Sequence, residues 1–554
     1  MAPSPEPARW GGRPIPARAN EPVTTALARG GFPLLARSIR YHRPRAAFCG
    51  IGACGHCLVQ VNGTPNVRAC RYVPRPGDDI RPALGWPSAR FDLGAVFDLL
   101  FRRGLDTLHG FRRPRFAAPL YHAVIRRLAG TGRLPERVPA TPFAPAPGAA
   151  RADAVVVGAG PAGRAAAASL AADGRSVIVL DRRAGGDPVP GATVRWSTTA
   201  AFLPPPRPDG PWRFHVVSSP DEGPAETIEA ASVIVASGAY DGTLLFDGND
   251  RPGVLTADAA FALAPDGGRP PFARAVVVGG GDRATELLDR FGGEVEAVVS
   301  PGSIEPGLAD RAARFEVPLY PRTLLVGATG RARVRGARLR TRGDGPAFSI
   351  AGDAIVLAHR RLPQTQLLFQ AGAAMAWAPS TGAYYPVLDG VATSVPGLYA
   401  VGEAAGFVTP AARVSSGEAA AAAIAGRLAA AAGARIVSEP PGELAGYYRE
   451  LRPFLERSRR VFACPCEDVL LSEVAAAHRR GFRGLEVVKR YTGVGTGVCQ
   501  GRFCLPDALL WLSLLEERPP EEVGYITQRP PVHPVALGAL AALPGDGSAE
   551  EAAS

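Results

Sequence analysis

Lysine is almost absent from this sequence of 554 residues, and cysteine is absent from its entire middle. Lys489 is the only lysine, so nearly all of the positive charge comes from arginine. The arginines are scattered and are not interleaved with aromatic residues in a stripe, which argues against nucleic-acid binding despite a formal net charge of +11. A basic surface of this kind either meets an acidic partner protein or has no specific meaning.

Long apolar runs are also lacking. Prolines and charged residues lie between Met1 and Arg18, where a signal peptide would have its apolar core. The most apolar helical stretch, residues 419–432, contains Arg427 and is too short to cross a bilayer. The sequence therefore predicts a cytoplasmic protein with no membrane span, and a chain of this length is expected to form three to five domains.

The eight cysteines form two groups of four, here called the first and second quartets. In a chain without a secretion signal, clustered cysteines are more typical of metal binding than of disulfides. The first quartet consists of Cys49, Cys54, Cys57 and Cys70, and the second consists of Cys464, Cys466, Cys499 and Cys504.

The spacing of the first quartet, C-x4-C-x2-C-x12-C, predicts a [2Fe–2S] cluster. Such a cluster needs four converging thiolates, and three of them here come from one tight loop. Gly50, Gly52 and Gly55 give that loop conformational freedom and let backbone N–H groups approach an anionic cluster. An apolar hairpin that begins at Leu58 is expected to bring Cys70 alongside. Zinc is the alternative, although zinc prefers paired C-x2-C knuckles.

A strand, a glycine-rich turn and a helix follow one another after Asp153. Gly158, Gly160 and Gly163 have the Gly-x-Gly-x-x-Gly spacing that closes a tight turn, admits a pyrophosphate and lets the helix pack on the strand. The next strand ends at Asp181, where an acid binds a ribose hydroxyl. The pattern predicts an adenine dinucleotide site, and a glycine turn without a ligand is the alternative.

A second unit of this kind has a weaker pattern. Gly279-x-Gly281-x-x-Ala284 follows an apolar strand, but the next strand ends at Ser300 without an acid. This unit either binds NAD(P)H poorly or is a structural relic. The region between the quartets has no cysteine pair, which excludes disulfide-reductase chemistry by a flavin there. No catalytic triad or carboxylate pair stands out, so the catalytic residues are unknown at this point.

These motifs resemble three known kinds of domain. The first quartet is similar to ferredoxin-like [2Fe–2S] domains, and its short last gap looks like the small subunits of molybdenum hydroxylases. The two glycine turns resemble the two-dinucleotide-fold flavoproteins, in which Gly-Asp follows a late strand at the flavin. Gly402 and Glu403 follow such a strand here, so the resemblance implies contact with FAD, whereas the alternative is that they merely end the strand. The second quartet resembles the small helical domain of bacterioferritin-associated ferredoxin (BFD), with a zinc site or an empty site as the alternatives.

The order of these domains resembles the α-subunit family of multimeric amine oxidases and dehydrogenases, which includes sarcosine oxidase, opine and hydroxyproline dehydrogenases and hydrogen cyanide synthase. Two stretches, which begin at Trp86 and Arg251, are close to sarcosine oxidase α. The resemblance implies an electron-transfer subunit with FAD, or else NAD or ATP at the same site, and two [2Fe–2S] clusters. The partner that it implies is a D-amino-acid-oxidase-like flavoprotein β subunit. The implied electron acceptor is a quinone or a carrier protein.

Two other interpretations stay open: a free-standing NAD(P)H:acceptor oxidoreductase, and a non-enzymatic iron–sulfur docking protein. In each case we expect a multidomain α/β protein. A flavoprotein with two dinucleotide-binding domains is flanked by an N-terminal β-grasp ferredoxin-like domain and a C-terminal helical BFD-like domain. The predicted bounds are 1–85 for the ferredoxin-like domain, 86–150 for a helical connector and linker, 151–270 and 351–440 for the two parts of the FAD domain, 271–350 for the second dinucleotide fold, 441–515 for the BFD-like domain and 516–554 for a tail that is poorly ordered from about Pro530.

Overall fold

The structure is a computed structural model, and it describes residues 6–101, 119, 150–427 and 444–543, apart from residues 30, 32, 209, 212, 221, 222, 266, 267 and 344. Most of the predicted helical connector and linker, from residue 102 onward, lies outside the described residues, as does the end of the tail from residue 544. The chain divides into two compact units. The first comprises Met1–Val138, Asp241–Arg361 and Gly442–Tyr525, and the second comprises Pro139–Tyr240, Leu362–Pro441 and Ile526–Ser554.

The N-terminal domain of the first unit is built on a five-stranded sheet. Its elements are β1 (Arg9–Trp10), β2 (Arg13–Pro14), α1 (Val23–Ala28), β3 (Ala36–Arg37), β4 (Pro44–Arg45), β5 (Leu58–Val61), β6 (Thr64–Arg68), β7 (Asp79–Pro82) and α2 (Val96–Leu100). The strand order in the sheet is β2-β1-β7-β5-β6. Strands β5 and β6 form the predicted hairpin, and Asn62 and Gly63 at its tip have the positive φ angles that suit a tight hairpin turn.

The second unit begins with a strand–helix–strand motif in which two apolar strands pair in parallel across a connecting helix. A third strand, Glu226–Val235, pairs in parallel with the first of them, Ala150–Val157. These paired strands form the buried centre that is typical of a doubly wound fold. The elements are β8 (Ala150–Val157), α3 (Pro161–Ala172), β9 (Val177–Leu180), β10 (Thr193–Arg195), β11 (Thr198–Phe202), β12 (Phe214–Pro220), β13 (Glu226–Val235) and β14 (Ala239–Asp241).

The first unit then contributes a second parallel sheet. The elements of this segment are β15 (Val254–Thr256), α4 (Ala257–Leu263), β16 (Ala275–Val278), α5 (Asp282–Phe291), β17 (Val295–Val299), α6 (Pro306–Arg314), β18 (Leu319–Tyr320), β19 (Thr323–Thr329), β20 (Gly336–Thr341), β21 (Ala347–Ala351), β22 (Ala354–Leu357) and β23 (Arg361–Pro363). The strand order in the sheet is β15-β22-β16-β17-β18. The central strands are short valine- and alanine-rich runs that are buried on both faces, as parallel strands covered by helices are.

This second sheet is larger than the range 271–350 that the sequence predicted for it. Strands β15 and β22 lie outside that range, and β22 pairs with β16 at the centre of the sheet. Both strands fall in the ranges predicted for the FAD domain, although they pair within the second sheet. The sequence of a short apolar strand does not indicate which sheet the strand joins, whereas a glycine-rich turn indicates the dinucleotide unit to which it belongs.

The remainder of the second unit completes its sheet. The elements are α7 (Gln366–Gln370), β24 (Met375–Ala378), β25 (Ala383–Pro386), β26 (Leu388–Asp389), β27 (Ala392–Thr393), β28 (Leu398–Ala400) and α8 (Pro410–Ile424). Strand β28 pairs in parallel with β13, so the strand order is β10-β9-β8-β13-β28-β27-β26. Helix α8 crosses α3 closely, since a Cβ atom at Gly417 would lie 2.1 Å from the carbonyl oxygen of Ala162.

The C-terminal module of the first unit is mainly helical. None of the helices among the described residues is long and apolar enough to cross a membrane. The elements of the C-terminal module are α9 (Leu444–Arg457), β29 (Phe462–Cys464), β30 (Val469–Leu470), α10 (Leu471–Arg479), α11 (Leu485–Thr492), α12 (Leu505–Glu516) and α13 (Pro520–Val523).

The described part of the tail is more structured than predicted. Helix α14 (Leu537–Ala541) lies beyond Pro530, and the carbonyl of Ala539 accepts a hydrogen bond of 2.9 Å from the amide of Ala225. The amide of Val532 donates to the carbonyl of Ala201, also at 2.9 Å. The Pro- and Ala-rich composition concealed these contacts, because they are made by the backbone.

A buried charge network joins three segments of the first unit. The side chain of Arg45 is 3% exposed; it pairs with Asp250 at 3.0 Å and with Asp468, and its Nη2 donates to the carbonyl of Pro465 at 2.9 Å. Arg43 donates two hydrogen bonds to the Asp250 carboxylate, from Nε at 2.6 Å and from Nη2 at 2.9 Å. Burial alone would raise the pKa of Asp250, but Arg43 and Arg45 hold it well below its usual range.

We expect Asp250→Asn to destabilise the first unit by about 3–5 kcal/mol at pH 7, because two buried guanidinium groups lose their shared carboxylate. The folded pKa of Asp250 lies below the unfolded value, so its stabilising contribution is full above about pH 4 and is lost as the pH falls further. The gap in the free energy of unfolding between variant and wild type should therefore shrink below pH 4. It is measured by urea unfolding monitored with circular dichroism. Asp310→Asn, at an exposed helical position, is the control and should show no gap. A gap of equal size at pH 3 and pH 7 would contradict this account.

Candidate cluster and dinucleotide sites

The structure brings the four cysteines of the first quartet together. Cys49, Cys54 and Cys57 lie on the loop between β4 and β5, and Cys70 follows β6. All four are buried, and their sulfur atoms form a continuous chain of contacts in the order Cys54, Cys49, Cys70, Cys57. The hairpin β5–β6 returns Cys70 to the loop, since the amide of Ala69 donates to the carbonyl of Cys57 at 2.9 Å.

Backbone dipoles around this quartet favour a negative charge on sulfur. The amide of Cys54 donates to the Cys49 sulfur at 3.4 Å, and Ile51 contributes a second backbone N–H. Burial opposes ionisation of Cys49, but hydrogen bonds from neighbouring thiols and from these amides lower its pKa well below the usual range. The same contacts and burial raise the pKa values of Cys54 and Cys70, so within the quartet the thiolate form is favoured at Cys49 and Cys57. The thiolate is the form that binds metal.

Gly50 fixes the position of the first quartet against the second parallel sheet. Its φ angle is +66°, and a Cβ atom there would lie 2.7 Å from the Cα atom of Ala259 in α4. Thr256, the N-cap of α4, also donates its amide to the carbonyl of Phe48 at 3.0 Å. The cluster loop therefore lies directly on the helix that follows β15.

The second quartet also converges. Cys464 ends β29, Cys466 lies in the turn before β30, and the other two come from the loop between α11 and α12. The sulfur atoms of Cys466 and Cys499 are 3.8 Å apart, and Cys504 contacts both Cys499 and Cys464. Contacts with neighbouring thiols and with backbone amides lower the pKa of Cys499 well below its usual range, although burial opposes this.

The N-terminus of α12 faces this quartet. Cys504 is the N-cap of that helix, and Pro506 lies in its first turn. The positive end of the helix dipole is stabilising for a negatively charged group at this point. Two sets of four soft thiolate ligands suit either an iron–sulfur cluster or zinc, so the ligand set alone fits the predicted clusters without excluding zinc.

In the second unit, the predicted dinucleotide turn has the geometry that each glycine requires. Gly158 has a φ angle of +110°, and a Cβ atom there would lie 2.3 Å from the carbonyl oxygen of Ala236. A Cβ atom at Gly163 would lie 1.9 Å from the carbonyl oxygen of Gly158, so only glycine lets α3 pack this closely. At Gly160 the space within 4 Å of a Cβ atom contains no other atom, which leaves the turn open to a ligand.

The predicted acid lies at this turn. One carboxylate oxygen of Asp181, at the end of β9, accepts a hydrogen bond of 2.7 Å from the amide of Ala159, and the other pairs with Arg183 at 3.0 Å. Burial raises the pKa of Asp181, but these partners lower it below its usual value, so the side chain is a carboxylate. Arg183 also donates to the carbonyl of Ala159 at 2.7 Å. This arginine is not among the predicted site residues, and its position two residues after the acid is its only signal in the sequence.

Gly402 and Glu403 begin the 3₁₀ turn after β28. A Cβ atom at Gly402 would lie 3.0 Å from the Cβ atom of Ala162, so this turn lies beside the first turn of α3. Glu403 forms an ion pair of 3.0 Å with Arg413 of α8. The glutamate thus has a protein partner that sequence reasoning did not identify.

The second glycine turn differs from the first in its charge. A Cβ atom at Gly281 would lie 2.7 Å from Oε1 of Glu305, and the amide of Glu305 donates to the carbonyl of Gly280 at 2.8 Å. Asp282 adds another acid in the first turn of α5. Carboxylates in this position repel the pyrophosphate that a dinucleotide would bring to the helix N-terminus. Sequence reasoning noted the missing acid at Ser300 but not the extra one at Glu305.

Four protein-family descriptions match parts of the chain. Residues 8–83 match a 2Fe-2S iron-sulfur cluster binding domain and residues 156–188 match an NAD(P)-binding Rossmann-like domain. Residues 212–426 match the pyridine nucleotide-disulphide oxidoreductase domain, and residues 458–543, which include the second quartet, match the sarcosine oxidase A3 domain. These matches support an iron–sulfur cluster and a flavin or nucleotide cofactor.

Homologues cover most of the chain. The alpha subunit of sarcosine oxidase from Rhizobium meliloti is 28% identical over 96% of this chain, which spans 57% of that protein's length. The A subunit of opine oxidase from Agrobacterium tumefaciens is 28% identical, with 71% of this chain and 92% of that protein covered. The HcnA subunit of hydrogen cyanide synthase from Pseudomonas aeruginosa is 44% identical over 12% of this chain and 62% of its own length. The predicted resemblance is therefore confirmed.

The fold is confirmed in the same way. The crystal structure of L-proline dehydrogenase from P. horikoshii aligns with 98% of this chain and 98% of its own, with a TM-score of 0.66 and 20% sequence identity. An N-terminal 2Fe-2S domain, Rossmann-like dinucleotide domains and a C-terminal sarcosine oxidase A3 domain make up the chain, as the predicted fold class requires.

We expect Gly160→Val to abolish dinucleotide binding without unfolding the protein, because the valine side chain would occupy the open space above the turn. The φ angle of −73° at Gly160 suits valine. The nucleotide released by heat, identified by mass spectrometry, should fall about tenfold or more, which corresponds to at least about 1.4 kcal/mol of binding free energy. Gly185→Val is the matched control, since its Cβ position is equally open. Full retention of the nucleotide in Gly160→Val would place the ligand elsewhere.

Proposed function

We propose that this chain is the electron-transfer subunit of a multisubunit amine or amino-acid dehydrogenase or oxidase. In this proposal FAD lies at the first glycine turn, and a [2Fe–2S] cluster lies in each cysteine quartet. The observation that carries the proposal is the presence of two four-thiol sites, buried except for the half-buried Cys466, in a chain that also has an open dinucleotide turn. The proposed substrate of the complex is an opine, proline, hydroxyproline or a sarcosine-like secondary amine, and the likeness to sarcosine and opine oxidase subunits supports the first and last of these.

The division of labour follows from the chemistry. When bound, a flavin exchanges electrons in pairs or singly, whereas an iron–sulfur cluster carries single electrons. A D-amino-acid-oxidase-like partner flavoprotein would oxidise the C–N bond, and the electrons would continue to a quinone or carrier protein. The residues of this chain would hold the redox groups and need not bind the amine.

Each proposed holding residue has a definite role. The eight cysteines would bind iron, and buried surroundings with backbone amides aimed at sulfur would keep water away and offset negative charge. Gly158, Gly160 and Gly163 would admit the pyrophosphate to the N-terminus of α3. The Asp181 carboxylate would hold the adenosine ribose, and Gly402 with Glu403 would lie on the flavin side. Buried unpaired thiols also suit the reducing cytoplasm, where we place the protein.

The second glycine turn bears on the rival function, a free-standing NAD(P)H:acceptor oxidoreductase. That activity needs a second dinucleotide, and the Glu305 carboxylate lies 2.7 Å from the Cβ position of Gly281, beside the helix N-terminus to which such a pyrophosphate would bind. The electrostatic cost of that arrangement favours the subunit role over the reductase role.

We expect the anaerobically purified protein to contain about four iron atoms per chain, two for each quartet. Cys57→Ser and Cys499→Ser should each lower this to about two, because each removes one thiolate from a different site. Iron is measured by mass spectrometry together with acid-labile sulfide. Zinc in place of iron, or about two irons in the unmodified protein, would overturn the two-cluster proposal.

We further expect NADH and NADPH, added anaerobically, not to bleach the bound flavin, because Glu305 repels their pyrophosphate. An amine substrate should reduce the flavin and the clusters only when the partner flavoprotein is present. Rapid bleaching by NADH alone would favour the reductase instead. Clusters that no amine reduces in the presence of the partner would favour a non-enzymatic docking role.

A further inference from the structure

The two cysteine-bearing loops touch each other, although they come from opposite ends of the sequence. Gly55 lies between Cys54 and Cys57, and a Cβ atom at Gly55 would stand 3.2 Å from Cγ2 of Val498 and 4.0 Å from Cβ of Cys466. Val498 immediately precedes Cys499. A residue of the first loop thus lies against residues of the second loop, beside the ligands of each.

Aromatic side chains make a second contact between the same loops. Phe48 precedes Cys49, and Phe503 precedes Cys504. Their ring centroids are 5.7 Å apart with the edge of one against the face of the other, and Phe48 also stacks on His56 at 4.8 Å. All three side chains are buried, so the residues that flank the two cysteine loops share a dry aromatic contact.

The two loops are also fixed relative to each other by the charge network. Arg45, four residues before Cys49, donates to the carbonyl of Pro465, which stands between Cys464 and Cys466. The Asp468 carboxylate accepts backbone N–H bonds from Arg40 at 2.8 Å and from Tyr41 at 3.2 Å. Each quartet therefore sits in a loop that the other domain helps to position.

We propose that the contact of Gly55 with Val498 and Cys466 sets the spacing between the two quartets, so that the groups they hold form one coupled pair rather than two isolated centres. This inference rests on the proposed function, which assigns a [2Fe–2S] cluster to each quartet. Gly55 does not have a positive φ angle, so backbone strain does not explain the glycine. The explanation is the space, since any side chain at position 55 would push against the Val498 methyl group.

The test is electron paramagnetic resonance on the full-length protein with its clusters, reduced with dithionite. Two coupled paramagnetic clusters broaden or split each other's signals. We expect this broadening in the unmodified protein and a narrow signal in Cys57→Ser and in Cys499→Ser, where only one cluster remains. Four irons per chain together with two narrow, additive signals would overturn the inference and leave the two-cluster proposal intact. About two irons per chain would overturn both.

A second set of variants tests the spacing itself from the other side of the contact. Val498→Phe should keep about four irons per chain but weaken the broadening, because the larger side chain presses on Gly55 and moves the loops apart. Val498→Ala should retain the broadening, because the smaller side chain does not press on Gly55. Gly307→Val, in an open position of α6, is the control and should behave as wild type. Unchanged broadening in an iron-replete Val498→Phe protein would show that this contact does not set the spacing.

Discussion

A single buried guanidinium group, that of Arg45, is the constraint on which the architecture of the first unit depends. It bridges Asp250 of the middle segment and Asp468 of the C-terminal module, while Arg43 shares the first of these acids. Charges this deeply buried are tolerated only when every partner is present and hydrogen-bonded. The N-terminal domain, the segment before the second parallel sheet and the C-terminal module must therefore pack together as one body. Both cysteine quartets take their positions from that packing.

The structure also shows one backbone motif in two chemical settings. Both glycine turns follow an apolar strand and precede a helix, and both need glycine for close packing. The turn at Gly160 is open and has the Asp181 carboxylate beside it, whereas the turn at Gly281 has the Glu305 carboxylate against it. Fold alone would assign a nucleotide to each, and only the side chains around the turn separate the two cases.

The residues that could be predicted from the sequence are those whose chemistry depends on local spacing. The first cysteine quartet and the three glycines at the start of α3 could be predicted because their residues are close together both in the sequence and in space. The sequence could not show that β15 and β22 join the second sheet, since short apolar strands are interchangeable in pattern. Nor could it show Glu305 at the second turn or Val498 beside Gly55, because those contacts join segments that are separated along the chain. The backbone contacts of the tail around Val532 escaped notice for a related reason, since composition says nothing about a single amide.

The separation of the two quartets along the chain has a consequence for how the protein is made. The ribosome completes the first quartet early, but the surface of that domain around Arg45 and Phe48 stays without its cover until the segment containing Pro465, Asp468 and Phe503 has been synthesised. During that interval a buried arginine and an aromatic ring face solvent, and four reduced thiols lie close to it. Docking of the C-terminal module therefore completes the burial of the first quartet's surroundings late in synthesis, and until then the reduced thiols of the nascent N-terminal domain are more open to oxidation.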